Sequence, residues 1–203
     1  MITVATVLYK ATSQTPPWSR CYSEAWVDRL YRGVARNYQN EFKFVCLTDK
    51  HYEFSEDIQI QPLQHTRWAT ACLQLHAVKA DRLVLMGLDT IIVGDLTELF
   101  AYRGALAIPR DPYRPQNPCN AVVLSTTRED IAESNATSDM NALELFEHEY
   151  LDDLFPGQVL SYKAHVRDGN GDALPEGVRI IYFHGEPKPH LLTDRKWIQE
   201  NWK

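Results

Sequence analysis

The sequence predicts an α/β fold in which one mixed, mostly parallel sheet is flanked by helices, and three observations carry that expectation. Apolar runs rich in Val, Ile and Leu recur at strand length, as in residues 2–8, 42–47 and 83–86, and such runs suit strands buried on both faces. Between them lie segments with apolar residues at helical spacing, and a strand–helix–strand–helix–strand succession specifies parallel pairing with right-handed crossovers. The run over residues 83–96 is broken once, at Gly87-Leu88-Asp89, so a single carboxylate emerges at a strand's carboxyl end. Ligands collect at such ends in open α/β sheets. On pattern alone, Asp89 suits a metal or substrate contact and a turn or N-cap before Ile91 about equally.

Composition narrows the classes. With 203 residues, 44% hydrophobic and 11% aromatic, the chain can bury a sizeable core as one domain. A formal net charge of -6 gives no general attraction to nucleic acid or to an anionic membrane. No stretch approaches roughly 18 unbroken apolar residues, and residues 1–8 lack the basic start and long apolar run of a signal peptide. A cytoplasmic protein with no membrane partner is expected. Cys21, Cys46, Cys72 and Cys119 are widely spaced with no CxxC pair, which suits buried thiols in a reducing compartment and offers no zinc site.

Taken in order, residues 2–8 are the first strand, ending at Tyr9-Lys10. Residues 11–20 hold Pro16-Pro17 and small polar residues, hence a loop. Ser23 and Glu24 open a helix whose core face is Trp26, Val27, Leu30, Tyr31, Val34 and Tyr38. Residues 42–47 form the second strand, with Thr48-Asp49 after it; Asp49 is read as a turn residue or as a contact to a ribose or base. Residues 58–63 alternate Ile and Pro with Gln, which predicts a short strand with one wet face. A helix is expected over residues 68–80, leading into the 83–86 strand.

Past Asp89 the pattern changes. Residues 96–100 give one or two helical turns, and residues 105–109 and 121–125 give strands. Between those strands, residues 110–118 are rich in Pro, Asp and Arg with no hydrophobic period, so a loop crossing the site is expected. Residues 139–154 are expected to be one helix, with Leu143, Phe146, Tyr150 and Leu154 on one face. Residues 178–183 form the last strand, and residues 193–202 a closing helix with Trp197 packed inward.

Two stretches bear on chemistry. One is Asp89; the other is His184-Gly185-Glu186-Pro187-Lys188-Pro189-His190, also at a strand end. A hard cation such as Mg²⁺ or Mn²⁺ takes carboxylate oxygens and an imidazole while leaving positions open for phosphate, and lysine supplies a mobile point charge for the same phosphate. Together they describe a site that neutralises a diphosphate. Signatures of the GxGxxG, GxxxxGK[ST], HExxH and GxSxG kinds are absent.

These residues carry a resemblance. Residues 83–96, with Asp89-Thr90 and then Gly94-Asp95-Leu96, resemble the metal-binding strand of GT-A nucleotide-sugar glycosyltransferases of the family 8 and glycogenin kind and of short bacterial or phage relatives. The similarity also takes in Tyr22-Ser23-Glu24, residues 44–49, Asn120, residues 156–163 and residues 183–189. It implies a Rossmann-like GT-A domain over residues 1–203, with the nucleotide-binding half over about residues 1–100 and a closing, acceptor-binding half over about residues 101–203. It further implies retaining transfer of a sugar from a nucleoside diphosphate sugar, a UDP-sugar above all, assisted by Mn²⁺ or Mg²⁺.

On this resemblance Tyr9, Lys10 and Asp49 hold the nucleoside, Asp89 and His184 the metal, and Gly185 and Lys188 the diphosphate. Asp139, Asn120 and Lys188 serve the transfer itself. Two departures stand out: Gly87 occupies the place of the first acid of the D-x-D pattern, and Tyr182 stands where the family's H-x-x-G-x-x-K-P motif has its histidine. The acceptor is not legible, whether glycan, protein or modified DNA base, and self-association is left open. The alternative is a catalytically inactive nucleotide or sugar-nucleotide binding protein of the same fold.

Overall fold

A computed structural model describes residues 1–203. Strand β1 (Ile2–Leu8) is followed by helix α1 (Glu24–Asn37), β2 (Phe42–Thr48), β3 (Gln59–Pro62) and β4 (Arg82–Met86). After β4 come β5 (Thr90–Ile92), α2 (Thr97–Phe100), β6 (Leu106–Ile108), β7 (Arg110–Asp111), β8 (Arg114–Pro118) and β9 (Val122–Ser125). The chain closes through α3 (Glu129–Ala132), α4 (Asp139–Leu143), β10 (Glu149–Tyr150), α5 (Leu151–Leu154), β11 (Val159–Ser161), β12 (Ile180–Tyr182) and α6 (Lys196–Asn201).

The main sheet has seven strands in the order β10-β6-β9-β4-β1-β2-β3. Strands β1, β2, β3 and β4 are parallel, as expected, and β9 runs antiparallel to both β4 and β6. The alternation of side chains explains why both faces are covered: Val84 and Met86 pack with Trp26 and Leu30 of α1, whereas Leu83 and Leu85 pack with Leu73 and Leu75 on the other side. A smaller sheet, β11-β12-β5, is fastened over a third cluster that includes Tyr162, Phe183 and Ile198. No helix is long and apolar enough to cross a membrane.

That smaller sheet positions the site. β5 pairs antiparallel with β12, Thr90 opposite Tyr182, so the segment after β12 returns to the residue just before β5, which is Asp89. β11 pairs in parallel with β12, Ser161 opposite Tyr182, and brings the helical turn Tyr162–Arg167 to the same level. On the other flank, Met86 pairs with Val122, and the Gly87 N–H donates to the Ala121 carbonyl at 3.2 Å. Asn120 thereby lies at the carboxyl end of β4.

Several expected elements differ from those observed. The helix expected over residues 68–80 is a run of 3₁₀ turns at Ala71–Ala77. Within it the Gln74 amide donates to the Ala71 carbonyl at 3.2 Å, a bond that competes with the regular helical ladder, while its oxygen accepts the Gln64 N–H at 2.5 Å and ties the segment to the chain before it. The expected helix over residues 139–154 is broken: after α4 the chain turns, His148 Nδ1–H donating to the Phe146 carbonyl at 2.7 Å. Glu149 and Tyr150 then pair with Ala107 and Ile108 as the sheet's edge.

The expected loop over residues 110–118 is the hairpin β7–β8. Asp111 Oδ1 accepts the N–H groups of Tyr113 at 2.8 Å and Arg114 at 3.0 Å, a turn that its side chain closes. β3 has no dry face, since Ile60 is exposed at the edge of the sheet. In the closing helix Ile198 is the buried residue and Trp197 is half-buried.

Candidate active site

A cleft of about 450 Å³ opens across the carboxyl ends of β1 and β4, a volume in the range of small-molecule sites. Asp89 lies on its floor, 8% exposed, and Lys188 beside it is 3% exposed. The Lys188 ammonium donates to Asp89 Oδ2, and the Tyr22 hydroxyl donates to the same oxygen at 2.8 Å. Burial, then the Asp89 carboxylate, pushes the Tyr22 hydroxyl far above its ordinary range, so it stays protonated and remains a donor. The Tyr22 ring is held edge-on by Trp26, with centroids 5.0 Å apart.

A second polar group lines the same cleft. Asp139 Oδ2 accepts from the Asn120 amide at 2.9 Å and from the Cys72 thiol at 3.1 Å, and Oδ1 accepts the Met140 N–H at 2.8 Å. Ser138 caps α4 by accepting the Asn141 N–H, which sets Asp139 at the first helical position. Burial and then the Asp139 carboxylate push the Cys72 thiol well above its ordinary range, so it is a neutral donor. Asp139, Asn120 and Cys72 all line the cleft.

Tyr9 lines the cleft too, its hydroxyl pushed up to about 12 chiefly by burial. Lys10 and Asp49 are exposed and stand off the lining: the Asp49 oxygens accept the Lys10 backbone N–H at 3.3 Å and the Tyr52 hydroxyl at 3.1 Å. That arrangement ties the end of β1 to the end of β2. Gly185 lines the cleft with φ +58°, and a Cβ built there would stand 3.2 Å from the Lys163 ammonium. Only glycine adopts this left-handed backbone cheaply.

His184 also lines the cleft. Its Nδ1 stands 3.4 Å from the Ser161 hydroxyl, and its buried Nε2 has no partner. Burial lowers its pKa, and Lys163 lowers it further, so the ring is neutral. Tyr182, at the motif's histidine position, is buried in the main core and off the lining.

These residues do not fit a resident divalent cation. Nowhere do three His, Cys, Asp or Glu side chains gather as a set that could hold one, and Mg²⁺ or Mn²⁺ wants several oxygen ligands. Position 87 contributes none: a Cβ on Gly87 would stand 3.0 Å from Asp89 Oδ1, so the carboxylate itself leans over the space. The cation beside Asp89 is an ammonium.

Sequence reading left several cleft residues unassigned. Trp68 and Cys72 were expected within a helix, yet both line the cleft, with Trp68 exposed. Tyr22 entered only as part of a matched block, because nothing in the sequence ties its hydroxyl to a residue 67 positions away. Lys163 likewise stood in such a block, and only the β11–β12 pairing brings it to Gly185.

No protein-family model and no curated protein matches the sequence. Solved structures do. The galactosyltransferase LgtC, in complex with donor and acceptor sugar analogues, superposes with a TM-score of 0.60 at 13% identity, over 92% of this chain and 88% of that one. The fold is that of the GT-A glycosyltransferases. The glycosyltransferase GlyE of Streptococcus pneumoniae TIGR4 gives 0.61 at 18% identity, over 92% of this chain and 55% of its own. The bifunctional glycosyltransferase WbbM gives 0.62 at 11%, over 93% and 46%. This chain therefore spans most of LgtC but about half of GlyE and of WbbM.

Proposed function

We propose that this protein is a glycosyltransferase that moves a sugar from a nucleoside diphosphate sugar, a UDP-sugar in the first instance, to an acceptor hydroxyl with retention of configuration. The observation that carries the reading is the cleft in a GT-A fold lined by both the buried Lys188–Asp89 pair and the Asp139–Asn120–Cys72 group.

The chemistry follows from those residues. The nucleoside lies toward Tyr9, and the diphosphate toward Gly185 and Lys188. The bond from sugar C1 to the diphosphate oxygen breaks with its electron pair going to the diphosphate, and the acceptor oxygen bonds C1 in its place. Retention puts the incoming oxygen on the face the diphosphate leaves, so a departing phosphate oxygen takes the acceptor's proton. Negative charge grows on the leaving group, where Lys188 stabilises it, while Asp139 and Asn120 orient the sugar hydroxyls.

A second reading, a nucleotide-sugar binding protein without turnover, is favoured by Gly87, which removes one acid from the strand end. Hydrolysis of a panel of nucleotide sugars separates the two. Slow release of free sugar and nucleoside diphosphate from one member, lost in the neutral double variant Lys188→Met with Asp89→Asn while the protein stays folded, supports the transferase. Binding of one member without any release supports the second reading.

A further inference from the structure

We infer that lysine replaces a divalent metal in this site, the Lys188 ammonium on Asp89 and the Lys163 ammonium across Gly185 together neutralising the donor's diphosphate. The inference rests on the nucleotide-sugar reading above and goes beyond it by naming the cation.

Three observations converge on it. The first is a shortage of ligands: Asp89 stands without a second acid, and its Oδ1 leans over Gly87. The second is that the charge of Asp89 is already met, because Lys188 and Tyr22 both donate to Oδ2. A divalent ion ligated there would sit beside a buried ammonium and be repelled by it. The third concerns the motif loop. Lys188 lies on it and Lys163 reaches it at Gly185, so two ammonium groups already stand on the loop that carries His184, the remaining ligand candidate.

Lys163 enters no ion pair, and its ammonium lies against Gly185, just outside the cleft lining. Half-buried and outside any ion pair, it has its charge free to meet an anion at the mouth of the proposed diphosphate seat. Glu186, on the same loop, is exposed to solvent, where its field is screened. The fold supplies the geometry at no extra cost: β5 pairing with β12 brings Lys188 to Asp89, and β11 pairing with β12 brings Lys163 to Gly185. A diphosphate entering beside Gly185 meets two ammonium groups without an ion having to be recruited.

The test is calorimetric titration of UDP and the other common nucleoside diphosphates, in chelator and then in excess Mn²⁺ or Mg²⁺. The inference expects affinities that agree within about threefold across these conditions. Lys163→Ala should weaken binding by about tenfold, the scale of one lost charge-assisted hydrogen bond, with the melting temperature unchanged. Lys188→Ala alone can unfold the site by stranding Asp89. The neutral pair Lys188→Met with Asp89→Asn removes that ambiguity and should weaken binding by about tenfold or more while staying folded. Binding at least about tenfold tighter in Mn²⁺ than in chelator, or unchanged in both lysine variants, overturns the inference but leaves the donor reading standing. Failure of every nucleotide to bind in any condition overturns both.

Discussion

Asp89 and Lys188, 99 positions apart in the chain, meet as an ion pair whose side chains are 12% and 4% exposed. A pair this dry roughly balances its Coulomb energy against the cost of desolvating both ions, so its net contribution to stability is small. Removing one partner is another matter, because the other is left charged without a counter-ion. Asp89→Ala should therefore lower unfolding free energy by about 3–5 kcal/mol, whereas the neutral double variant Asp89→Asn with Lys188→Met should recover most of it. Urea denaturation decides this, and a single variant within about 1 kcal/mol of the parent would show the pair to be solvated in solution.

Asp139 offers a separate handle on the same cleft. Asp139→Asn keeps the size of the side chain and one oxygen to accept from Asn120 and Cys72, while the amide nitrogen replaces the oxygen that accepts the Met140 N–H, so nucleotide affinity should hold within a few-fold. Turnover should fall by about 10²-fold if the carboxylate is needed on the reacting sugar. Unchanged donor turnover would return Asp139 to a purely structural role as the first residue of α4.

His76 gives the pH dependence. It is fully buried, both ring nitrogens lack partners, and burial, with Arg128 adding to it and Asp130 opposing, lowers its pKa from 6.5 to about 4. The unfolded chain binds this proton below about pH 6.5 and the folded chain only near pH 4. Stability is full above 6.5 and falls as pH drops toward 4. Between pH 7.5 and 5 the loss should be about 2 kcal/mol. His76→Leu should flatten that part of the profile in denaturant titrations; an equally steep profile would place the transition elsewhere.

Gly87→Asp should install the missing acid. Asp89 Oδ1 has to give way, since a Cβ at position 87 stands 3.0 Å from it, so the variant should melt lower than the parent. With two carboxylates at the strand end, Mn²⁺ should raise its melting temperature while leaving the parent's unchanged. The same Mn²⁺ response in both proteins would mean that Asp89 already holds the ion.

The parallel strands β1, β2 and β4 and the core face of α1 were legible in the sequence because each is set by its own side-chain period. The elements that misled depend on partners distant in sequence or on side-chain competition. A run of 3₁₀ turns, with the Gln74 amide competing for the ladder, replaces an expected helix, and Tyr150 leaves its helix to pair with Ile108. In the site, Asp89, Lys188 and Asn120 were named from matching motifs and Asp139 as the best candidate where the motif has no clean match, and all four line one cleft. Lys10 and Asp49 also follow strands but tie the ends of β1 and β2 together outside it. Tyr22 and Lys163 carry no local signal, since one reaches Asp89 across α1's approach and the other depends on β11 register.

The central claim is that a nucleotide sugar binds in this cleft with its diphosphate on lysine, and a crystal structure of the protein with a bound nucleoside diphosphate sugar, grown in chelator, tests it most directly. The account predicts the nucleoside beside Tyr9, and the diphosphate over Gly185 within hydrogen-bond reach of the Lys188 and Lys163 ammonium groups. A nucleotide found on another surface, or seated in the cleft with its diphosphate touching neither lysine, would contradict it.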